Sequence, residues 1–360
     1  MTLSEISSIR LVNQRIAKTE FITPMQVVGW MGAMQAQDFS MAKWAVGIRM
    51  QDATDKEIEN SFNKGEILRT HLMRPTWHFV AADDIYWMLD LTAPQIRSSM
   101  KSRHKQLELS EAAVSKSNRI IEKALSNKIS ITRSELAKAY ENAGIRTGDN
   151  RLSHLLLCAE LDGLICSGPV TGGKESFSLL QARVPDKKFL TRDESLAELA
   201  KRYFSSHGPA TFRDFIWWSG LPVKDAGKAL ESVNSSLLSE IIDDVQYWFT
   251  DSFSPLKINT KSVHLLPAFD EFLISYRDRS ASLSLKHNRK AVSDNGIFRP
   301  LIILNGQVAG TWKRTIKKDK VMIGTNPFQP FSKVTINQIK KSADRFGDFL
   351  HKNTEVKHTQ

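Results

Sequence analysis

Apolar positions keep helical spacing through most of the first 250 residues, and short β-like runs interrupt them at regular intervals. In residues 4–18, Ile6, Ile9, Leu11, Val12 and Ile16 predict a helix. Thr23-Pro24 opens a second, apolar from Pro24 to Met34, because threonine caps well and proline suits a first turn. Further helices are predicted over residues 41–50 and 55–63, the latter stopped by Gly65. The stretch Ile67-Leu-Arg69-Thr-His71-Leu-Met-Arg74-Pro75-Thr76-Trp77-His78-Phe79-Val80 mixes β-branched, aromatic and basic residues around a proline. It reads as two short strands with a tight connection, an exposed wing following helices. Asp83-Asp84 then caps a helix to about Leu91.

The order repeats. A helix over 111–125, a short strand at Ile129–Ile131, and a helix capped by Thr132 with Glu135 come first. A helix over 149–161 and two strands around Gly172-Gly173-Lys174 complete a winged helix-turn-helix. The third helix of this copy carries only Arg151 and His154 as basic residues, so base readout from it is weakly supported. Residues 193–250 give a third copy, with Trp217-Trp218 offering one buried and one half-buried ring. From about 262 strands dominate: 263–274, 276–279, 299–304, 307–314 and 320–323. Asn305-Gly306 between two β-rich runs is a strong hairpin signal. A last helix over 335–351 covers them.

The predicted class is α+β: three tandem winged helix-turn-helix modules followed by a small antiparallel β-barrel-like C-terminal domain. The boundaries fall at residues 1–108, 109–186, 187–260 and 261–352, with 353–360 a disordered tail.

Composition narrows the class. At 360 residues the chain is too long for one small core. A hydrophobic content of 41% and a charged content of 25% are ordinary for a soluble protein, and no apolar run approaches a membrane span. The formal net charge of +11 favours a polyanionic partner. Cys158 and Cys166 stand in apolar settings and read as buried thiols, with no spacing for a zinc site. No signal peptide is visible, and a cytoplasmic monomer without cofactor or metal is expected.

The candidate chemistry lies at Gln35-Ala36-Gln37-Asp38. On a helix, residues two apart diverge by about 200°, whereas in an extended segment they share a side. Gln35 and Gln37 therefore form one site only where the chain has left the helix and Ala36 faces inward. Asp38 is better placed to cap the following helix than to act as a base.

Four segments together resemble the AlkZ/YcaQ-type bacterial DNA glycosylases, a family of tandem winged-helix proteins. They are Gln35-Ala36-Gln37-Asp38, Leu68 to His78, Leu265-Leu266-Pro267-Ala268-Phe269-Asp270-Glu271 and Gly306-Gln-Val-Ala-Gly310-Thr311-Trp312. The resemblance implies excision of alkylated bases, including N7-linked adducts and interstrand crosslinks, by a Gln-apolar-Gln motif, here Gln35 and Gln37. The chain departs from the family pattern at Pro75 and Trp77.

The chemistry agrees with that implication. An N7-alkylated purine is already cationic and leaves without a general acid. Two amide oxygens can orient a water and present negative dipole ends to a developing sugar cation. Arg69, Arg74, Thr76 and His78 would hold duplex DNA beside the lesion, positioning without reading sequence. A non-catalytic winged-helix DNA binder is the alternative, and it predicts no dependence on the glutamines. Lys43 is the nearest amine for a lyase step and a poor candidate.

Overall fold

The computed structural model describes residues 1–250 and 262–358. It is a mixed α and β structure. The first helices, α1 (Leu3–Asn13) and α2 (Pro24–Met31), both open under capping boxes, Thr2 with Glu5 and Thr23 with Gln26. Each box satisfies two N–H groups that have no partner within the helix. Gly32, at φ +76°, ends α2 and lets the chain straighten into β1 (Ala33–Gln35). There follow α3 (Phe39–Gly47), α4 (Asp55–Lys64), β2 (Ile67–Leu72), β3 (Arg74–Ala81) and α5 (Ile85–Gln106). Strands β1, β3 and β2 form one antiparallel sheet in that order.

Helix α5 runs well past the predicted end at Leu91, through Pro94. Proline removes one helical hydrogen bond there. Packing of Ala93 and Ile96 against Leu157 and Leu161 offsets that loss.

The second stretch contains α6 (Glu111–Leu125), β4 (Ile131–Thr132), α7 (Arg133–Asn142), α8 (Arg151–Leu161), β5 (Ile165–Thr171), β6 (Lys174–Leu179) and α9 (Leu180–Arg183). Its sheet has the order β4-β6-β5. The third contains α10 (Arg192–Ser206), α11 (Phe212–Ser219), α12 (Val223–Val233) and the hairpin β7 (Leu238–Ile242) with β8 (Val245–Phe249). The expected boundary at 260 lies outside the described residues, as do the last two residues of the expected tail.

The remainder comprises β9 (Val263–Leu266), α13 (Glu271–Ile274), α14 (Asn288–Ala291), β10 (Leu301–Leu304), β11 (Gln307–Ile316), β12 (Lys320–Pro327), α15 (Lys333–Phe349) and β13 (Asn353–His358). Asn305 and Gly306 both adopt positive φ, as a two-residue hairpin turn of this kind demands.

Three expectations here are corrected. The sheet is open, in the order β13-β12-β11-β10-β9, and its β12–β13 pair is parallel. It curls as half a barrel, in keeping with the barrel-like expectation, but it is not wholly antiparallel. Residues 353–358, expected as disordered, supply that edge strand. The sequence there is polar, but the free edge of β12 offers unpaired backbone groups, and pairing satisfies them. Residues 270–279 are not strands. The Asp270 carboxylate caps Phe272 N–H and starts one helical turn, and the N–H groups of Arg277 and Asp278 donate to Asp214 rather than to a sheet partner.

The cores cross these stretches. One joins Val27, Trp44 and Phe62 to Leu265, Ile302, Trp312 and Phe346. The indole N–H groups of Trp44 and Trp312 donate to the adjacent carbonyls of Leu265 and Leu266. A second core joins Leu68, Leu72 and Val80 to α5 and to Tyr203, Phe215 and Trp218. A third lies within α6, α7, α8 and their sheet. The first sheet thus sits where the cores meet.

Candidate active site

Gln35 ends β1 directly opposite His78 of β3, and His78 in turn faces Thr70 of β2. Opposed residues share a face, and neighbours along a strand alternate. Gln35, Thr70, Thr76 and His78 therefore lie on one face. Met34, Arg69, His71, Trp77 and Phe79 lie on the other. Ala36 N–H donates to Trp77 O at 2.7 Å, so the extended course continues one residue past β1. Ala36 is fully buried and Gln35 is 5% exposed, while Gln37 is exposed. The chain has left the helix, and Ala36 faces inward.

Gln35 is held at both ends. Its main-chain N–H donates to Glu271 Oε1 at 2.6 Å, and its side-chain Oε1 faces Arg74 Nη2 at 3.5 Å. Arg74 lies 5.4 Å from the Trp217 ring, and Arg279 lies 5.6 Å from the same ring and 4.9 Å from Phe298. Trp217 is fixed by donating to Ile274 O, so one indole gathers two arginines beside Gln35. Burial lowers the Arg74 pKa, and the Glu271 charge opposes that shift.

Glu271 is itself buried. Burial alone would raise its pKa, yet the His207 ring at 3.8 Å, the Ser275 hydroxyl and the Gln35 N–H hold it below the usual carboxylate range. The adjacent Asp270 accepts two hydrogen bonds from Arg49, at 2.8 and 2.9 Å, and both side chains are fully buried. Glu271 thus ties the C-terminal stretch to β1, and Asp270 ties it to Arg49 just past α3.

The candidate DNA contacts separate. Arg74 remains beside Gln35. Thr76 is half-buried, and its hydroxyl has no partner among the described residues. Arg69 is only 2% exposed and on the opposite face, so it is not a free phosphate contact. Its guanidinium donates to the carbonyls of Ala36 at 2.8 Å and Gln37 at 3.3 Å, pairs with Glu175 at 3.0 Å and stacks 4.4 Å from Trp77. It clamps the glutamine turn from behind.

His78 is 1% exposed, and burial, with help from the Arg74 charge, lowers its pKa to about 4. It is neutral at pH 7 and holds no phosphate as a cation. Its Nδ1 lies 2.9 Å from the Thr76 carbonyl, which can only accept, so the proton sits on Nδ1 and leaves Nε2 unprotonated.

The hairpin is not an exposed wing, because its tip is packed. Met73 is buried, its N–H donates to Thr92 Oγ1, and a Cβ on Gly220 would lie 2.4 Å from its carbonyl oxygen.

Asp38 accepts from Met41 N–H at 3.0 Å, the predicted cap, and lies 3.9 Å from Arg314 of β11. Sequence reasoning missed Arg279, Arg314 and the role of Glu271. Only the last had a signal, since Asp270-Glu271 stands as two adjacent acids in an otherwise apolar run. Cys158 and Cys166 are buried free thiols as expected, and burial raises both pKa values. No helix among the described residues is long and apolar enough to cross a membrane.

A family model described as DNA glycosylase AlkZ-like matches residues 28–349. The interstrand DNA cross-link repair glycosylase of Streptomyces sahachiroi is 25% identical over 341 residues, covering 88% of each chain. The solved structure of the Streptomyces sahachiroi DNA glycosylase AlkZ has the same fold, with a TM-score of 0.82 over the whole of both chains at 19% identity.

Proposed function

The chain belongs to the AlkZ-like DNA glycosylase family, and on that premise we propose that it hydrolyses the N-glycosidic bond of cationic N7-alkylated purines in duplex DNA. We extend the proposal to unhooking N7-linked interstrand crosslinks, since the similar Streptomyces protein is named for cross-link repair. The observation that carries the reading is Gln35: an uncharged, buried amide on the edge strand of the first sheet, its backbone fixed by a buried carboxylate and its side chain beside a cation.

The reaction follows from those parts. The base carries its own positive charge and departs without a protonated acid. Positive charge develops on the sugar. The side-chain oxygens of Gln35 and Gln37 orient the attacking water and set fixed negative dipole ends toward that charge, which stabilises it without reorganisation. Gln35 Oε1 has two lone pairs, so the contact with Arg74 leaves one for the water. His78, neutral with a free Nε2 lone pair, adds no positive charge to the site. Arg74, Arg279 and Arg314, with the Thr76 hydroxyl, hold the phosphates flanking the lesion, and Arg69 keeps the turn in place.

We read residues 1–108 as a winged-helix module that carries the Gln35-Ala36-Gln37 motif, 109–186 as a winged-helix module used as scaffold and 187–260 as a third, with the β domain after them, in a chain that acts as a monomer. A crosslinked base cannot rotate freely out of the stack, so an open surface suits this substrate better than a closed pocket.

A base-release assay tests the reading. Duplexes carrying N7-methylguanine should release the base, and duplexes with a neutral, poorly leaving lesion should not. The Gln35→Ala plus Gln37→Ala protein should bind the duplex and release nothing above background. Full activity in that double variant, or none in the wild type, defeats the proposal and leaves a non-catalytic DNA binder.

A further inference from the structure

Helix α11 carries two adjacent tryptophans with opposite surroundings. Trp218 is 1% exposed and packs in the second core, whereas Trp217 is 37% exposed. The Trp217 indole N–H donates to Ile274 O at 2.8 Å, which fixes the ring. Arg74 and Arg279 lie 5.4 and 5.6 Å from its centre. Neither is stacked on it, since a stacked guanidinium comes much closer, as Arg10 does at 3.6 Å from the centre of the Tyr276 ring. Arg74 also faces the Gln35 amide oxygen at 3.5 Å, so one side chain separates the ring from the group proposed to act on the sugar.

Two further cations border the ring. Arg213 stands four residues before Trp217 on α11, hence on the same helix face, and it is exposed. Asp214 accepts the N–H groups of Arg277 and Asp278 at 2.8 and 3.2 Å, which lays the exposed Arg277 alongside the first turn of α11. Asp278 is the exposed acid between these arginines, and its Oδ1 accepts the Ser280 N–H at 2.9 Å. Arginine outweighs acid at this patch.

An open π face bordered by cations takes a nucleobase by stacking and its phosphates by charge, without reading sequence. The charge also selects which base. A cationic N7-alkylpurine is repelled by arginines at the margin of the ring, and an ordinary base is not. With the lesion sugar at Gln35, the ring therefore takes a neighbour. Because Arg74 spans from Gln35 to the ring, one stretch of backbone joins the two. A neighbour turned out of the stack opens space beside a crosslinked base that cannot itself rotate out.

We propose that Trp217 is a stacking platform for one uncharged base next to the lesion on the same strand, turned out of the duplex, with Arg213 and Arg277 on the flanking phosphates. The proposal rests on the glycosylase reading for the lesion and its place at Gln35.

Crossing protein variants with base deletions in the DNA tests it, with duplex affinity measured at one salt concentration. The duplex carries a 2′-fluoro analogue of N7-methyldeoxyguanosine, whose glycosidic bond resists cleavage, and tetrahydrofuran replaces the 5′, 3′ or opposite base in turn. At one same-strand position, removing the base should weaken wild-type binding about tenfold, the usual scale for one base on one ring. Trp217→Leu should weaken binding of the intact duplex equally and show no further loss when that base is missing, because both changes remove one contact. Trp217→Met is a second ringless variant, so misfolding of one does not decide the outcome. Trp217→Phe keeps a ring but loses the bond to Ile274 O, and it should retain most of the affinity. A loss in Trp217→Phe equal to that in Trp217→Leu overturns the proposal, as do additive losses at both same-strand positions or coupling to the opposite base alone. Base release from an ordinary N7-methylguanine duplex by the wild-type protein separates the two readings: release without coupling removes the platform alone, and no release removes the glycosylase reading.

Discussion

Glu271 Oε1 accepts the main-chain N–H of Gln35 at 2.6 Å across 236 positions of sequence. A carboxylate from the C-terminal stretch thereby fixes the residue proposed to act on the sugar. The bond leaves the Gln35 amide free and sets only its origin, so Glu271 is a positioning residue.

Glu271→Gln tests that relationship. The substitution keeps an acceptor but removes the charge that strengthens the bond. Hydrogen bonds to charged groups contribute about 1.5–3 kcal/mol, so single-turnover base release should fall about 10-fold to 100-fold. Duplex affinity should stay near wild type, since Glu271 reaches no solvent. Equal losses of rate and affinity would instead indicate a general structural role.

The arginines should divide by salt dependence. Arg74→Ala and Arg279→Ala should each reduce the slope of log affinity against log salt by about one. Arg69→Ala should leave the slope unchanged while lowering the melting temperature and the base-release rate, because its partners are the Ala36 and Gln37 carbonyls. Binding isotherms at several salt concentrations give the answer.

Arg49 and Asp270 form a fully buried, doubly hydrogen-bonded pair. Arg49→Met leaves Asp270 charged and unpaired in the core and should cost about 3–5 kcal/mol in urea unfolding. A loss below 1 kcal/mol, about that of an exposed ion pair, would contradict the burial.

Activity should be flat in pH from about 6 to 9, because the glutamines do not titrate and His78 is depressed to about 4. A bell-shaped profile centred in this range would point to a titrating acid and base instead.

Stability carries its own pH signature. The folded His78 pKa lies at about 4, below the ordinary 6.5, so the unfolded chain binds the proton first as pH falls. The contribution of His78 is fully present above pH 6.5 and declines from there to about pH 4. His264, depressed to about 4 by burial, adds to the same window. Melting temperatures should therefore drop between pH 6.5 and 4, and His78→Phe should shrink the drop.

Local elements were legible in the sequence wherever capping and spacing set them. Thr23-Pro24, Thr132 with Glu135 and Asn305-Gly306 each carry their geometry in two to four residues, and each is realised. The extended course at Gln35 and the inward Ala36 stood in the sequence only as the condition for one site, and the structure meets that condition. The exposure of Arg69 and His78 was not. Basic residues on a hairpin look solvent-facing until something packs on that hairpin, and here Gly220, Thr92 and Glu160 do so from distant elements. The edge strand at 353–358 was hidden likewise, since polar residues become a strand only when a free sheet edge is near.

The sequence by itself determined the helices, the hairpin turns and the basic balance, because those depend on the residues themselves and on neighbours within a few positions. Only the tertiary structure decided that Glu271 stands behind Gln35, that Trp217 gathers Arg74 and Arg279 beside it, and that Arg69 braces the turn from the far face. Those pairings join residues far apart along the chain. Their energies arise from burial and charge in a low-dielectric interior that exists only once the three cores have packed together.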